Sequence, residues 1–316
     1  TLEEVYSRLN EWIEEAESSP LLRVLSQQAR KAEDPEISTF LYFWNGMTYW
    51  QEFGDEQKAE MSFRKISTPP PDHEPLREFY LAYYTKQQNW RRLEQFLTDP
   101  NKGGMEDLVE VKRMLGRLAT ESGQPDRAVG FWQGVRTADP LDEEAEAALS
   151  NLYRTIGKWH AMVDLLKDRV ARLGSSDPDG CISLYREMID IYRTHLNAPS
   201  KIVATWQSVL DIDAGNMEAL DALAQEYEGM NRWPDLVKIL QRKITHTPDS
   251  QQQIALHEHI AGILMERFNN APEATKHYQA ILDLDETHSA SVAKLKEIYE
   301  GRRDYESLVQ LTMRDL

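Results

Sequence analysis

The chain contains a single cysteine, Cys181, among its 316 residues. One thiol excludes an intrachain disulfide framework, and no CxxC or Cys/His spacing near it suits a structural metal site. Long apolar runs are missing as well, since none approaches the roughly 18 residues that a membrane-crossing helix needs. The opening Thr1-Leu2-Glu3-Glu4 has no basic start followed by an apolar stretch, so no secretory signal is read there and the cytoplasm is the default compartment. Positive charge is in deficit: 36 Lys and Arg stand against 53 Asp and Glu, a net charge of −17. That balance disfavours nucleic acid, whose phosphates call for clustered Lys and Arg, and it disfavours an anionic membrane surface. Strand-like alternation is not sustained anywhere.

What is present is repetition. One aromatic series consists of Phe63, Trp132, Trp206 and Tyr278, with gaps of 69, 74 and 72 residues. A second opens a helical stripe at Trp90 (NWRRLEQFL), Trp159 (KWHAMVDLL), Trp233 (RWPDLVKIL) and Tyr305 (DYESLVQLT), again with gaps of 69, 74 and 72. Two independent markers with the same spacings define a super-repeat of about 72 residues holding two hairpins. Direct similarity agrees, because WQSVLDID at Trp206–Asp213 matches YQAILDLD at Tyr278–Asp285 position by position. Ala219, Leu220, Leu223 and Tyr227 lie on one face of a helix, and turn chemistry such as Gly123-Gln124-Pro125 and Asn197-Ala198-Pro199 interrupts such helices.

These residues resemble the tetratricopeptide repeat. Gly116, Ala128, Trp132 and Pro140 stand at the motif's own spacing, Trp50, Gly54, Ala59, Phe63 and Pro71 supply a second copy, and Gly262, Ala274 and Tyr278 a third. Met162 and Leu236 replace the usual Ala in the second kind of hairpin, which sets its helices further apart. The long, divergent, two-hairpin bacterial proteins of the family are the nearest in character. The resemblance implies an all-α, right-handed superhelical solenoid of about nine antiparallel helical hairpins. A single array over 1–316 is expected, with repeats near 1–35, 36–73, 74–106, 107–141, 142–180, 181–216, 217–251, 252–287 and 288–316. The missing initiator Met and the stop inside a repeat read as a piece of a longer protein.

The candidate chemistry is that of binding. His257-Glu258-His259 places its two imidazoles about 200° apart around a helix, unlike the i, i+4 pair of a zinc motif, so no metal is expected there. No nucleophile motif or phosphate loop is visible, so neither catalysis nor a cofactor is expected. By the family's register, helix A of the fourth to sixth hairpins presents Arg113, Arg117, Arg154, Arg186 and Arg193 to a concave groove, beside Asn151. Arginine offers a planar fork to carboxylates, so the expected ligand is a peptide or protein, in particular an acidic segment or a C-terminal carboxylate. The competing expectation is a solvated face with internal ion pairs to Glu110, Glu144 or Asp190. The expected role is a non-catalytic interaction scaffold. Its alternatives are a regulatory or targeting arm of a larger enzyme or secretion machine, and an RNA-binding helical repeat. Leu308, Leu311 and Leu316 keep an apolar stripe on the final helix without a capping helix, which points to assembly through the C-terminal hairpin.

Overall fold

A computed structural model describes residues 19–314, apart from positions 69, 71 and 103. The opening helix of the first expected hairpin and Leu316 lie outside the described residues. Among the described residues there are seventeen α-helices, two single 3₁₀ turns and no strand.

The helices form two compact units, Thr1–Lys158 and Trp159–Leu316. The first holds α1 (Ser19–Lys31), α2 (Pro35–Gln51), α3 (Glu56–Phe63), α4 (Glu74–Lys86), α5 (Trp90–Leu97), α6 (Leu108–Glu121), α7 (Pro125–Ala138) and α8 (Glu143–Ile156). The second holds α9 (Trp159–Leu173), α10 (Pro178–Thr194), α11 (Pro199–Ile212), α12 (Met217–Gly229), α13 (Trp233–His246), α14 (Ser250–Phe268), α15 (Ala271–Leu284), α16 (Ser289–Arg302) and α17 (Tyr305–Arg314).

Local chemistry sets the helix starts. Asp34, Asp107, Asp142, Asn216 and Asp249 each accept a backbone N–H from the first turn of α2, α6, α8, α12 and α14. That satisfies donors which have no intrahelical partner. Pro35, Pro125, Pro178 and Pro199 occupy first helical positions, where a missing N–H costs nothing. Between α6 and α7 the chain reverses through Gly123 at φ 66°, a conformation that a side chain resists.

The seam inside a hairpin is made by a ring laid on a glycine. A Cβ added to Gly116 would sit 2.7 Å from the Trp132 ring, so α6 and α7 approach as closely as they do only because that atom is missing. Gly46 plays the same part beneath Phe63 of α3. The glycine that seats this ring is thus Gly46 rather than Gly54, which lies in the following turn at φ 60°. Gly262 differs again, since a Cβ there would meet nothing within 4 Å and Tyr278 leaves space beside it.

A polar tie accompanies three of the four seams. The amide of Gln133 donates to the Tyr153 hydroxyl at 2.9 Å, Gln207 to Tyr227 at 2.7 Å, and Gln279 to Tyr299 at 2.9 Å. The glutamine follows the seam aromatic and the tyrosine comes from the next helix, so the super-repeat is written in hydrogen bonds as well as in packing. In the first unit Phe63, Phe79, Tyr80 and Phe96 form a contiguous aromatic core, with ring centroids 4.4–6.1 Å apart.

The two aromatic series have different fates. Phe63, Trp132, Trp206 and Tyr278 are all buried. Of the second series only Trp90 is buried. Trp159 lies flat against His195, with centroids 3.6 Å apart and planes 4° apart, and Arg267 sits 4.6 Å over the Trp233 ring. These rings stand at helix starts on the edge of the packing, where one face is covered and the other is not. Met162 and Leu236 are buried where Ala is usual.

Two substitutions separate the two series. Trp132→Ala should cost about 3–5 kcal/mol by loss of a buried ring and the cavity it leaves. Trp233→Ala should cost about 1–2 kcal/mol, mostly the partial burial and the cation–π contact. Urea unfolding followed by far-UV circular dichroism measures both; equal losses would contradict the placement of Trp233 at an edge.

Candidate functional site

In the first unit, α6, α7 and α8 enclose an open cleft of about 620 Å³. Trp132, Pro125, Ala148 and Leu152 give it apolar walls, supplemented by the methyl groups of Thr120 and Thr155. Arg117, Glu121 and Asn151 stand on its border. Each wall has its own origin. Trp132 is held from below by Gly116, while Pro125 is fixed as the first residue of α7. Ala148, Asn151, Leu152 and Thr155 follow at i, i+3, i+4 and i+7 along α8, so they share one face.

Sequence reasoning placed Arg113, Arg117, Asn151 and Arg154 on this surface, and the structure brings Arg117 and Asn151 to the same cleft. Both α6 arginines are engaged. Arg117 makes a two-pronged contact with Glu144, Nε to Oε1 at 2.6 Å and a terminal nitrogen to Oε2 at 2.7 Å. These bonds hold the Glu144 carboxyl below the usual carboxylate range and raise the Arg117 guanidinium. Arg113 reaches Asp142 at 2.8 Å, Glu110 at 3.1 Å and Glu144 at 3.5 Å. Asp142 therefore serves twice: Oδ1 caps α8 through the Ala145 N–H at 2.7 Å while Oδ2 holds Arg113. Arg154 is exposed in the last turn of α8.

The other two arginines lie in the second unit. Arg186 of α10 donates to Glu218 of α12 at 2.8 Å, and Arg193 reaches Glu226 at 3.4 Å. Their partners come from the next helix A rather than from Asp190. Glu226 occupies the repeat position of Leu152, as LSNLYRT and LAQEYEG align. In this repeat, then, an ion pair joins α10 and α12 where the first unit has an apolar wall. The counterpart cleft among α14, α15 and α16 measures about 360 Å³, with Lys294 and Glu297 in place of Ala148 and Asn151. Those two residues pair with each other at 2.9 Å.

A histidine pair escaped the sequence reading. His257 of α14 does not work with His259; its Nδ1 lies 2.8 Å from Nδ1 of His277 on α15. One ring must donate and the other accept, so a single Nδ1 proton is shared. Burial lowers the pKa of both rings, and for His277 the neighbouring His257 adds to the effect. Glu273 raises that of His277 and Lys276 lowers it, both weaker influences. Separation along the chain hid this contact, since 20 residues intervene and neither histidine belongs to a recognisable motif. Among the described residues no group of three or more His, Cys, Asp or Glu converges on one point, and no helix is long and apolar enough to cross a membrane.

No family model matches the chain, and no curated protein matches it. Solved structures do align with it. The crystal structure of MamA is 18% identical over 59% of this chain and 96% of its own, with a TM-score of 0.29. The TPR2AB domain of yeast Sti1 in complex with pHSP90 is 14% identical over 66% and 89%, with a TM-score of 0.25. BtubC (BKLC) from P. vanneervenii is 13% identical over 64% and 89%, with a TM-score of 0.28. Two of the hairpins described above are tetratricopeptide-like in their own packing, with Gly116 of helix A under Trp132 of helix B and Gly46 under Phe63.

Two measurements follow from these contacts. Asp142→Ala should destabilise the first unit by about 1–2 kcal/mol through loss of the α8 cap. Asp142→Asn, which keeps a cap acceptor but not the charge, should cost less. In the second unit, both histidine pKa values are lowered from 6.5 in the fold, so the unfolded chain binds more protons at and below that pH. Stability should fall as pH drops through 6.5 and level off below the folded values. The double change His257→Gln/His277→Gln should flatten that part of the melting-temperature profile, and a slope that survives it would rule out this pair as the source.

Proposed function

We propose that the chain is a non-catalytic interaction scaffold that takes a protein or peptide segment on the helix-A face between α6 and α8. The observation that carries this reading is the cleft itself, which joins an apolar recess to the planar donors of Arg117 and the amide of Asn151. Arg117 already presents two N–H groups to a carboxylate, that of Glu144. A carboxylate from an acidic segment or a C-terminus can take the same two donors in exchange. Such an exchange replaces one ion pair by another, so it orients the ligand more than it tightens it. Arg113 and Arg154 border the same helices, and Arg186 and Arg193 form the corresponding paired face of the second unit.

The C-terminal hairpin is a further surface for assembly. Of the stripe expected there, Leu311 is buried and Leu308 half-buried against the preceding packing, so the exposed apolar side is instead Tyr305, Val309 and Met313, at one-turn intervals on α17 and 64%, 52% and 72% exposed. The equivalent ring Trp233 has Arg267 of the following helix over it, a contact that supports this reading.

A pull-down comparing the parent chain with Arg113→Glu/Arg117→Glu tests the reading. The charge reversal should reduce capture of a bound protein by about tenfold, since it sets two carboxylates against Asp142 and Glu144 and repels an acidic ligand. Undiminished capture, with circular dichroism showing the variant folded, would place the binding surface elsewhere.

A further inference from the structure

We infer that the α6–α7–α8 cleft is a pocket for one neutral apolar side chain of the bound segment, of the leucine or phenylalanine class, and that this anchor rather than the arginines supplies most of the affinity. The inference rests on the scaffold reading above and adds the ligand's chemistry.

Three observations carry it. First, the charges at the mouth are already balanced. Arg117 is satisfied by both oxygens of Glu144, and Arg113 by Asp142 and Glu110. An incoming carboxylate therefore has to displace a carboxylate already paired with Arg117 or Arg113, whereas an apolar side chain entering the recess loses water without breaking any of these pairs.

Second, the fold does not demand both apolar walls at once, since Ala222 and Ile298 each keep only one of them in the later repeats. The chain repeats this architecture, and at the position of Ala148 it carries Lys294 in the later repeat. At the position of Leu152 it carries Glu226, which takes Arg193 from the preceding helix A. Both alternatives stand in helices that pack in the same order. Lys and Glu are thus compatible with the hairpin, and the combination of Ala148 and Leu152 is a property of this cleft alone.

Third, the cleft has room for an apolar side chain. The recess of about 620 Å³ is lined by residues of three helices, with Trp132, Ala148 and Leu152 among them. The counterpart cleft in the second unit is smaller, about 360 Å³, and its rim carries the Lys294–Glu297 pair and Arg302. The same fold therefore offers one apolar and one charged version of this site, and the apolar one selects its ligand by desolvation.

The test uses the whole chain labelled at its Ala, Leu and Thr methyl groups, titrated with blocked single residues. N-acetyl-leucine amide should shift the methyl signals of Ala148, Leu152, Thr120 and Thr155 together and with saturation. N-acetyl-aspartate amide should leave them in place. Ala148→Lys copies the chain's own residue from the later repeat, so it should fold normally and weaken the response to the leucine amide about tenfold or more. Leucine-amide shifts that scatter without saturating, or shifts caused by the aspartate amide instead, would overturn the inference. The two readings fail separately. If arginine-dependent capture of a protein persists while the leucine amide leaves these methyls unmoved, the scaffold stands and the apolar anchor falls. If the leucine amide saturates the cleft while the charge reversal leaves capture unchanged, the anchor stands and the arginine-bordered ligand path falls.

Discussion

A helical hairpin of this size cannot bury its apolar face by itself, and everything else in the molecule follows from the contact that lets two helices share one. Trp132 lying on Gly116 is the clearest case, since the absence of a single Cβ brings α6 and α7 together and leaves the outer edge of the ring as the floor of a cleft. Phe63 on Gly46 repeats the device earlier in the same unit. Where the glycine is not closed over, as at Gly262, space remains beside Tyr278 and the neighbouring cleft changes character. Packing and cleft are thus two sides of one contact.

Charge is distributed on top of this frame in a way that its net value conceals. An excess of carboxylates sounds like repulsion, yet many sit one helix A away from an arginine. Glu144, Glu218 and Glu226 receive Arg117, Arg186 and Arg193 across successive hairpins. These pairs are half exposed and individually weak. Each ties one helix A to the next within its unit. The expectation of a basic groove and the expectation of internal ion pairs therefore describe the same side chains, and the pairing is what an incoming ligand has to meet.

The aromatic markers that revealed the repeat turned out to do two jobs. The first series is core: Trp132, Trp206 and Tyr278 come from mid-helix and Phe63 from the last position of α3, and all four are buried. The second series stands at helix starts, where a ring depends on what the following helix offers: His195 for Trp159, Arg267 for Trp233. Identical spacing in the sequence gave no means of telling these apart, since period reports which face a residue occupies and not how far the next element extends over it.

The helical class, the two-hairpin period and the two recurring aromatic series were legible in the residues alone. These depend on contacts within three or four positions, or on spacing that repeats. Arg117 and Asn151 could be assigned to one surface through the register of the family the chain resembles. The partners of the arginines, 27 to 33 residues away, the His257–His277 pair 20 residues apart and the seating of Phe63 on Gly46 were settled only in three dimensions. Side-chain pairing across helices depends on the rotation and offset of each helix against the next, and that geometry is fixed by packing rather than by any local pattern. The apolar cleft belongs to the same group: three helices must be in place before Ala148 and Leu152 become the walls of anything.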